Sequence, residues 1–160
     1  MGAPAFDEIL RRLAAAGVDF VLVGGLAVNA WGVVRGTKDV DIVASPEPGN
    51  LRRLAEIAVD MGGRVQTAEM LAGSAASIAS LLASGDRVAI ETELGAVDVV
   101  QGLAGVPPYE ELRSRATEAE VLGTVVSVCS LEDLRAMKDA AGRTRDRADL
   151  EDLDAAHGAG

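Results

Sequence analysis

Apolar positions recur along the chain with two different periods, and these periods predict alternating helices and strands. Spacing of i, i+3, i+4 and i+7 predicts a helix over residues 6–16, which Gly17 ends. The run DFVLV at 19–23 is apolar on both faces, which is typical of a central strand. A short helix is predicted from 24 to about 32, and the alternating DVDIVA at 39–44 predicts a second strand.

The middle of the chain predicts a helix and two further strands. Apolar spacing predicts a helix over about 51–62, whereas residues 64–84 carry the weakest pattern and suit one short helix. Residues 87–94 and 96–100 read as strands joined by a tight turn at Gly95. Hairpin-linked strands of this kind, among helices, favour an α+β fold with a small mixed β-sheet flanked by helices.

The last third of the chain predicts one more strand and three helices. A short helix follows the two prolines at 107 and 108, and residues 120–128 predict a single strand. Ser130 is expected to cap the helix over 131–141, with Asp133 as its capping-box partner. A final helix covers about 146–156. We expect one domain over 1–160, with a core at about 18–128 followed by C-terminal helices at about 130–156.

Composition narrows the class of protein and of partner. A chain of 160 residues with 49% hydrophobic residues can build one ordinary core. The net charge of −10 argues against non-specific nucleic-acid binding. A lone Cys129 cannot form an internal disulfide, and no apolar run reaches membrane-spanning length. These features predict a cytoplasmic protein without a membrane partner.

A glycine pair stands where the central strand runs into a helix. Gly24 and Gly25 would leave backbone N–H groups free at the positive end of the helix dipole, which suits a phosphate. A tight corner explains the same two glycines, and on this pattern alone it is favoured by about two to one.

Three aspartates lie in otherwise apolar strands. Asp39 and Asp41 are two residues apart in a strand and therefore share a face. Asp98, in the run AVDVV, joins them if the two strands are neighbours. Three carboxylates would suit Mg²⁺ shared with phosphate oxygens, and two ions could support an in-line displacement at phosphorus. The alternative is that the aspartates are simply solvated.

A basic residue lies on the apolar stripe of the helix at 131–141. Lys138 falls four residues after Leu134 and seven after Leu131, on the side expected to face the core. Its amine either reaches solvent along a buried stem or contacts a phosphate, and both interpretations are open. In the last helix Asp146 could pair with Lys138 or with a nearby arginine, while the rest of GRTRDRADLED is interpreted as a solvated face.

Three segments together resemble a known family. The segments are VGGLAVNAWGVVRGTKDVDIV, ELGAVDVVQGL and LEDLRAMKDAAGRTRDRADLEDL. They resemble the nucleotidyltransferase superfamily of DNA polymerase beta type, over residues 18–45, 86–103 and 129–153. The likeness is greatest to minimal bacterial members, including the nucleotidyltransferase toxins of abortive-infection type toxin–antitoxin systems.

The resemblance implies a reaction and a metal site. It implies transfer of a nucleoside monophosphate from an NTP to a hydroxyl acceptor, with release of pyrophosphate. Asp39 and Asp41 would bind Mg²⁺ and the triphosphate. Asp98 would act as general base or as ligand to a second metal ion.

The resemblance also implies a nucleotide-binding set. Gly24 and Gly25 would cradle the β- and γ-phosphates, and Lys138 would neutralise their charge. Arg35 and Thr37 would orient the strand that carries the two aspartates or contact the nucleotide. Family members usually have serine where this chain has Gly25, so the hydroxyl that contacts a phosphate is missing.

These implications leave several functions open. The chain is an active enzyme, such as a toxin with an antitoxin partner, or a catalytically silent module that binds a nucleotide or a partner. A third alternative is a structural subunit with solvated carboxylates. The sequence leaves three classes of acceptor open, namely RNA, a protein and a small molecule. RNA would need a local basic patch, for which the available residues are Arg113, Arg115, Arg143, Arg145 and Arg147.

Overall fold

Helices alternate with strands in the computed structural model, which describes residues 3–159. The seven helices of these residues are α1 (Phe6–Ala15), α2 (Gly24–Ala30), α3 (Pro48–Asp60), α4 (Ala75–Ala83), α5 (Tyr109–Arg115), α6 (Leu131–Ala141) and α7 (Thr144–His157). The eight strands are β1 (Phe20–Val23), β2 (Asp39–Ala44), β3 (Val65–Gln66), β4 (Leu71–Ala72), β5 (Val88–Thr92), β6 (Gly95–Val99), β7 (Thr117–Val121) and β8 (Thr124–Val128).

Six of the strands form one mixed sheet in the order β5-β6-β2-β1-β8-β7. The pairs β1–β8 and β2–β6 are parallel, while β1–β2, β5–β6 and β7–β8 are antiparallel. Strands β3 and β4 form a separate hairpin. The predicted α+β class, with a small mixed sheet flanked by helices, is confirmed.

The side-chain pattern explains the position of the two central strands. All four residues of β1 are buried, as expected for a strand covered on both faces. In β2, Val40 and Ile42 are fully buried, whereas Asp39 and Asp41 on the opposite face are half-buried. Helices α1 and α2 both pack against β2. The aspartate face therefore lies where the apolar core ends.

The strand register brings the three aspartates together. Strand β2 lies parallel to β6 with Asp41 opposite Asp98, so the predicted adjacency of these strands is confirmed. On its other side β2 runs antiparallel to β1, with Asp41 opposite Val23. Because Gly24 follows Val23 directly, the first residue of α2 lies beside Asp41.

The single strand predicted at 120–128 is wrong, because this segment is a hairpin. Strands β7 and β8 pair antiparallel, with Val121 opposite Thr124. The two residues between them, Leu122 and Gly123, have φ angles of 50° and 91°. Two positive φ angles in a two-residue loop are the requirement of a type I′ turn. Gly123 within an apolar run was the local signal for this turn.

Smaller differences lie elsewhere in the chain. The short helix expected within 64–84 is α4, and a hairpin of β3 and β4, which the weak pattern did not predict, precedes it. The turn between β5 and β6 lies at residues 93–94, one residue before the predicted Gly95. Within residues 3–159, every helix is too short or too polar to cross a membrane.

At the start of α6 the predicted cap is present, but the predicted capping box is not. Ser130 accepts a hydrogen bond from the backbone N–H of Asp133 at 3.0 Å, which confirms the cap. The Asp133 carboxylate does not complete a capping box, because Arg115 donates to it at 2.8 and 3.0 Å. This ion pair joins α5 to α6.

Candidate active site

A cavity of about 810 Å³ lies where the start of α2, strands β2 and β6, and helix α6 meet. It brings together every residue predicted for the site, including residues from three separate parts of the chain. These residues are Gly24, Gly25, Arg35, Thr37, Asp39, Asp41, Asp98 and Lys138.

The carboxylates of Asp39, Asp41 and Asp98 meet at the floor of this cavity. One oxygen from each lies within 4.8 Å of the other two. The Oδ1 atom of Asp41 is buried and has no hydrogen-bond partner. A buried carboxylate oxygen without a donor is costly, and a bound cation removes that cost. The three side chains therefore fit a hard divalent cation.

The surroundings of Asp41 favour its protonated form in the metal-free protein. Burial, together with the hydrogen bond and charge of Asp39 and the charge of Asp98, raises the pKa of Asp41 to about 8. The ammonium of Lys138 opposes this rise but does not cancel it. Because a metal ligand must be ionised, cation and proton compete for Asp41.

We expect the metal-free protein to lose stability as the pH rises from about 4 to about 8. In this window the unfolded chain has released the Asp41 proton and the folded chain retains it, so the free energy of unfolding falls. The slope is at most about 1.4 kcal/mol per pH unit. Melting temperatures measured with EDTA should therefore fall across the window. Saturating Mg²⁺ should flatten the slope, and a metal-free melting temperature that rises throughout would contradict the protonated state.

Gly24 is required by the position of Asp41. Its φ angle is +68°, and a Cβ added there would lie 1.9 Å from Oδ2 of Asp41. A side chain at this position would therefore be strained and would also displace the carboxylate. The first glycine lets the backbone of α2 approach the aspartate.

Gly25 lies against the loop before β2, whereas Gly24 lies against Asp41. A Cβ added at Gly25 would lie 2.5 Å from Nη1 of Arg35 and 2.7 Å from Oγ1 of Thr37. The Thr37 hydroxyl also donates to the backbone carbonyl of Asp39 at 3.0 Å. The space of a side chain at position 25 is thus filled by two polar groups, one of which fixes the start of β2.

Lys138 faces the cavity but does not reach into solvent. Its side chain is 8% exposed, and its Nζ atom lies 2.9 Å from Asp149 and 3.3 Å from Asp146. The interpretation that the amine reaches solvent is therefore wrong, because two buried carboxylates of α7 hold it. Asp146 also accepts hydrogen bonds from Arg143, so both of its predicted types of pairing occur.

Asp149 is a residue of this network that the sequence analysis assigned to a solvated face. It is buried, and its Oδ1 atom lies 3.0 Å from Nε of Arg35. Asp149 thus joins Lys138 of α6 to Arg35 of the loop before β2. Its spacing of three residues from Asp146 puts both on one helix face, which was the available signal.

Arg87 is a second residue that the sequence analysis missed. Its Nε and Nη2 atoms donate to both oxygens of Asp98 at 2.7–3.0 Å. In the register of β5 and β6, Ala89 lies opposite Asp98, so Arg87 is a diagonal neighbour on the same face. The predicted hairpin already placed Arg87 and Asp98 on neighbouring strands. Only the observed register shows that they are neighbours on the same face.

Comparison with known proteins places the chain in a family. A family model described as "Nucleotidyl transferase of unknown function (DUF2204)" matches residues 3–159. Among curated protein sequences, none matches this chain.

Solved structures of antibiotic-modifying enzymes share the fold at low sequence identity. The chain is similar to the lincosamide antibiotic adenylyltransferase LnuA in its lincomycin-bound crystal structure, with a TM-score of 0.65 and 15% identity over 94% of this chain and 95% of that one. The antibiotic-resistance factor ANT(2'')-Ia matches with a TM-score of 0.58 and 17% identity over 94% and 83%. A proposed nucleotidyltransferase from Thermotoga maritima (TM1012) matches with a TM-score of 0.56 and 18% identity over 91% and 88%.

Proposed function

The chain belongs to this family of nucleotidyl transferases of unknown function, and we propose that it transfers a nucleoside monophosphate from an NTP to a hydroxyl group of a small molecule. The observation that carries the proposal is the buried, unpartnered oxygen of Asp41 between two further carboxylates. Asp39, Asp41 and Asp98 would hold Mg²⁺, which would neutralise charge on the triphosphate.

In the proposed reaction the acceptor oxygen attacks the α-phosphorus. A new oxygen–phosphorus bond forms, and the bond from the α-phosphorus to the bridging oxygen breaks. Pyrophosphate leaves with that electron pair, and Asp98 accepts the hydroxyl proton. We assign the backbone N–H groups of Gly24 and Gly25 to the β- and γ-phosphates, and Lys138 to the fixed positive charge beside them.

A small acceptor is favoured by the lining of the cavity. Besides its charged residues, the cavity has an apolar wall that suits an uncharged molecular body. This wall is formed by Val100, Leu103, Ala104, Val106, Leu134, Met137 and Ala141. The antibiotic substrates named for LnuA and ANT(2'')-Ia are also small molecules.

The arginines that an RNA acceptor would need are largely engaged within the chain. Arg113 donates to Ser127, Arg115 to Asp133 and Arg143 to Asp146. Because the net charge is −10, the electrostatic field of the protein as a whole would not attract a polyanion such as RNA. Both facts weigh against RNA as acceptor.

The proposal is tested by label transfer from each of the four NTPs with Mg²⁺. The acceptors are a panel of hydroxylated small molecules, including lincosamides and aminoglycosides, with tRNA and a protein mixture as alternatives. We expect labelled small-molecule product and pyrophosphate, both lost in Asp39→Asn. Label on tRNA or protein would overturn the acceptor class. Tight Mg-NTP binding without any transfer would instead support the silent module.

The toxin role predicted from the sequence stays a prediction. Growth arrest on expression of the wild-type chain, relieved by Asp39→Asn, would support it. Such arrest should also be relieved by a cognate antitoxin protein.

Gly25→Ser should lower transfer instead of improving it. Although serine is usual in the family, its side chain would press on Arg35 and Thr37 and shift the start of β2. We expect a loss of tenfold to about a hundredfold in kcat/KM, because small displacements of positioned groups are costly in catalysis. Gly73→Ser is the matched control, since a Cβ there meets nothing within 4 Å.

A second substitution identifies the cause. Thr37→Ala removes the crowding hydroxyl together with its hydrogen bond to Asp39, so adding Gly25→Ser to Thr37→Ala should lower the rate less than Gly25→Ser lowers that of the wild type. An increase in rate for Gly25→Ser alone would show that the two neighbours do not occupy the serine position.

A further inference from the structure

Arg87 stands at the edge of the cavity and is bound to only one partner. It directly precedes β5, and its side chain is 50% exposed, whereas the side chain of Asp98 is 12% exposed. Within residues 3–159 the Arg87 guanidinium hydrogen-bonds to Asp98 alone. The arginine is therefore much more exposed to solvent than the carboxylate that it binds.

The ion pair divides the three carboxylates into two kinds. Both oxygens of Asp98 accept hydrogen bonds from Arg87, so a cation from the chain itself already compensates this charge. Asp41 keeps a buried oxygen without a donor. Within residues 3–159 Asp39 and Asp41 form no ion pair, whereas a divalent cation must compete with a guanidinium for Asp98.

Other cations that line the cavity either bind carboxylates other than Asp39, Asp41 and Asp98 or form no ion pair within residues 3–159. Lys138 is 8% exposed and lies between two buried carboxylates. The Arg143 side chain and backbone N–H both bind Asp146. Among residues 3–159, Arg87 is the lining cation that forms an ion pair with one of these three aspartates, and its side chain is 50% exposed.

We propose that Arg87 is an exchangeable counter-ion that holds Asp98 in the free protein and transfers to the triphosphate when the nucleotide binds. The guanidinium fork fits phosphate oxygens as well as it fits a carboxylate, so the exchange conserves its hydrogen bonds. Asp98 is released for the cation and the acceptor hydroxyl only when the nucleotide is present. This inference rests on the proposed function, because it takes the triphosphate as the ligand of the cavity.

The exchange predicts opposite effects on two ligands. Without Arg87, a divalent cation alone should bind more tightly, because Asp98 becomes a free ligand. A nucleotide should bind more weakly, because one phosphate contact is lost. We expect changes of about tenfold in each dissociation constant, as for loss of one charge-assisted hydrogen-bonded pair. An arginine with only a structural role would weaken both.

Calorimetry on the full chain measures both affinities without turnover. Mn²⁺ alone serves as the cation probe, and a non-hydrolysable NTP analogue with Mg²⁺ serves as the nucleotide probe. The variants are Arg87→Gln and Arg87→Lys, and the lysine variant keeps the charge without the fork and should fall between wild type and glutamine. If Arg87→Gln melts too low to titrate, Arg87→Lys alone should still show the opposite shifts.

Arg115→Gln is the matched control. Arg115 makes the same two-pronged contact with a buried aspartate, Asp133, and is 43% exposed. It lies outside the lining of the cavity, so neither affinity should change.

The exchange is overturned if both affinities of Arg87→Gln fall together or match wild type, or if wild type binds no Mn²⁺. Its failure can be told apart from failure of the proposed function. If the wild type transfers label and both affinities of Arg87→Gln equal those of the wild type, the exchange is contradicted and the proposed function stands. Opposite shifts in a protein that transfers no label support the exchange and contradict the enzymatic role.

Discussion

Asp41→Asn is expected to abolish nucleotidyl transfer while making the metal-free protein more stable at pH 8. The side chain of Asp41 is half-buried, but its Oδ1 atom is buried and has no partner until a cation binds. We expect a rate loss of about a thousandfold or more, since an amide cannot replace an ionised ligand. The same amide removes the carboxyl group whose pKa is raised to about 8 by burial, by its hydrogen bond with Asp39 and by the charges of Asp39 and Asp98.

The gain in stability should depend on pH in a defined direction. At pH 8 the folded wild-type chain must keep Asp41 protonated or bear its charge, and asparagine removes that penalty. Melting in EDTA at pH 8 should then occur about 5 °C higher in the variant. Near pH 4, where Asp41 is protonated in the folded state, the difference should shrink toward zero.

Asp7→Asn is the control for the change in net charge. Asp7 is an exposed residue of α1 outside the cavity, so its loss should change neither transfer nor melting. A lower melting temperature for Asp41→Asn at pH 8 would show that the ionised carboxylate is well compensated in the free protein. That result would remove the main reason for placing a cation there.

The parts of the site that could be predicted from the sequence are those set by local periodicity. Residues two apart in a strand must share a face, so Asp39 and Asp41 project together whatever the rest of the chain does. Their meeting with Asp98 needed only one assumption about strand neighbours, which the register confirms. The helix of Lys138 follows from apolar spacing and from its cap at Ser130.

The parts that could not be predicted are set by contacts between distant elements. Which charge compensates Lys138 depends on how α7 lies against α6, and the composition of GRTRDRADLED suits solvent equally well. The crowding at Gly25 arises from the loop before β2, whose path has no period. The space that a serine side chain would need at position 25 is therefore occupied, which the sequence alone could not show.

Lys138→Met should destabilise the protein far more than loss of a solvent-exposed lysine. The ammonium lies 2.9 Å from Asp149 and 3.3 Å from Asp146, and both carboxylates are at most 4% exposed. Removing one partner of a buried ion pair costs about 3–5 kcal/mol, and we expect the lower end here because Arg35 still binds Asp149 and Arg143 still binds Asp146. Urea denaturation at pH 7 measures this loss. A value near that of an exposed lysine, below about 0.5 kcal/mol, would contradict the buried network.

Combining Lys138→Met with Asp149→Asn separates the structural role of Lys138 from its proposed role beside the phosphates. The second substitution removes a carboxylate that would otherwise keep only Arg35 as its partner, so part of the stability should return. Arg143 still compensates Asp146 in this double variant. If the folded double variant transfers nucleotide at the wild-type rate, Lys138 serves only to join α6 to α7. If the double variant folds and its KM for NTP rises about tenfold, the Lys138 ammonium also binds the triphosphate. The two buried aspartates would then serve to position that ammonium.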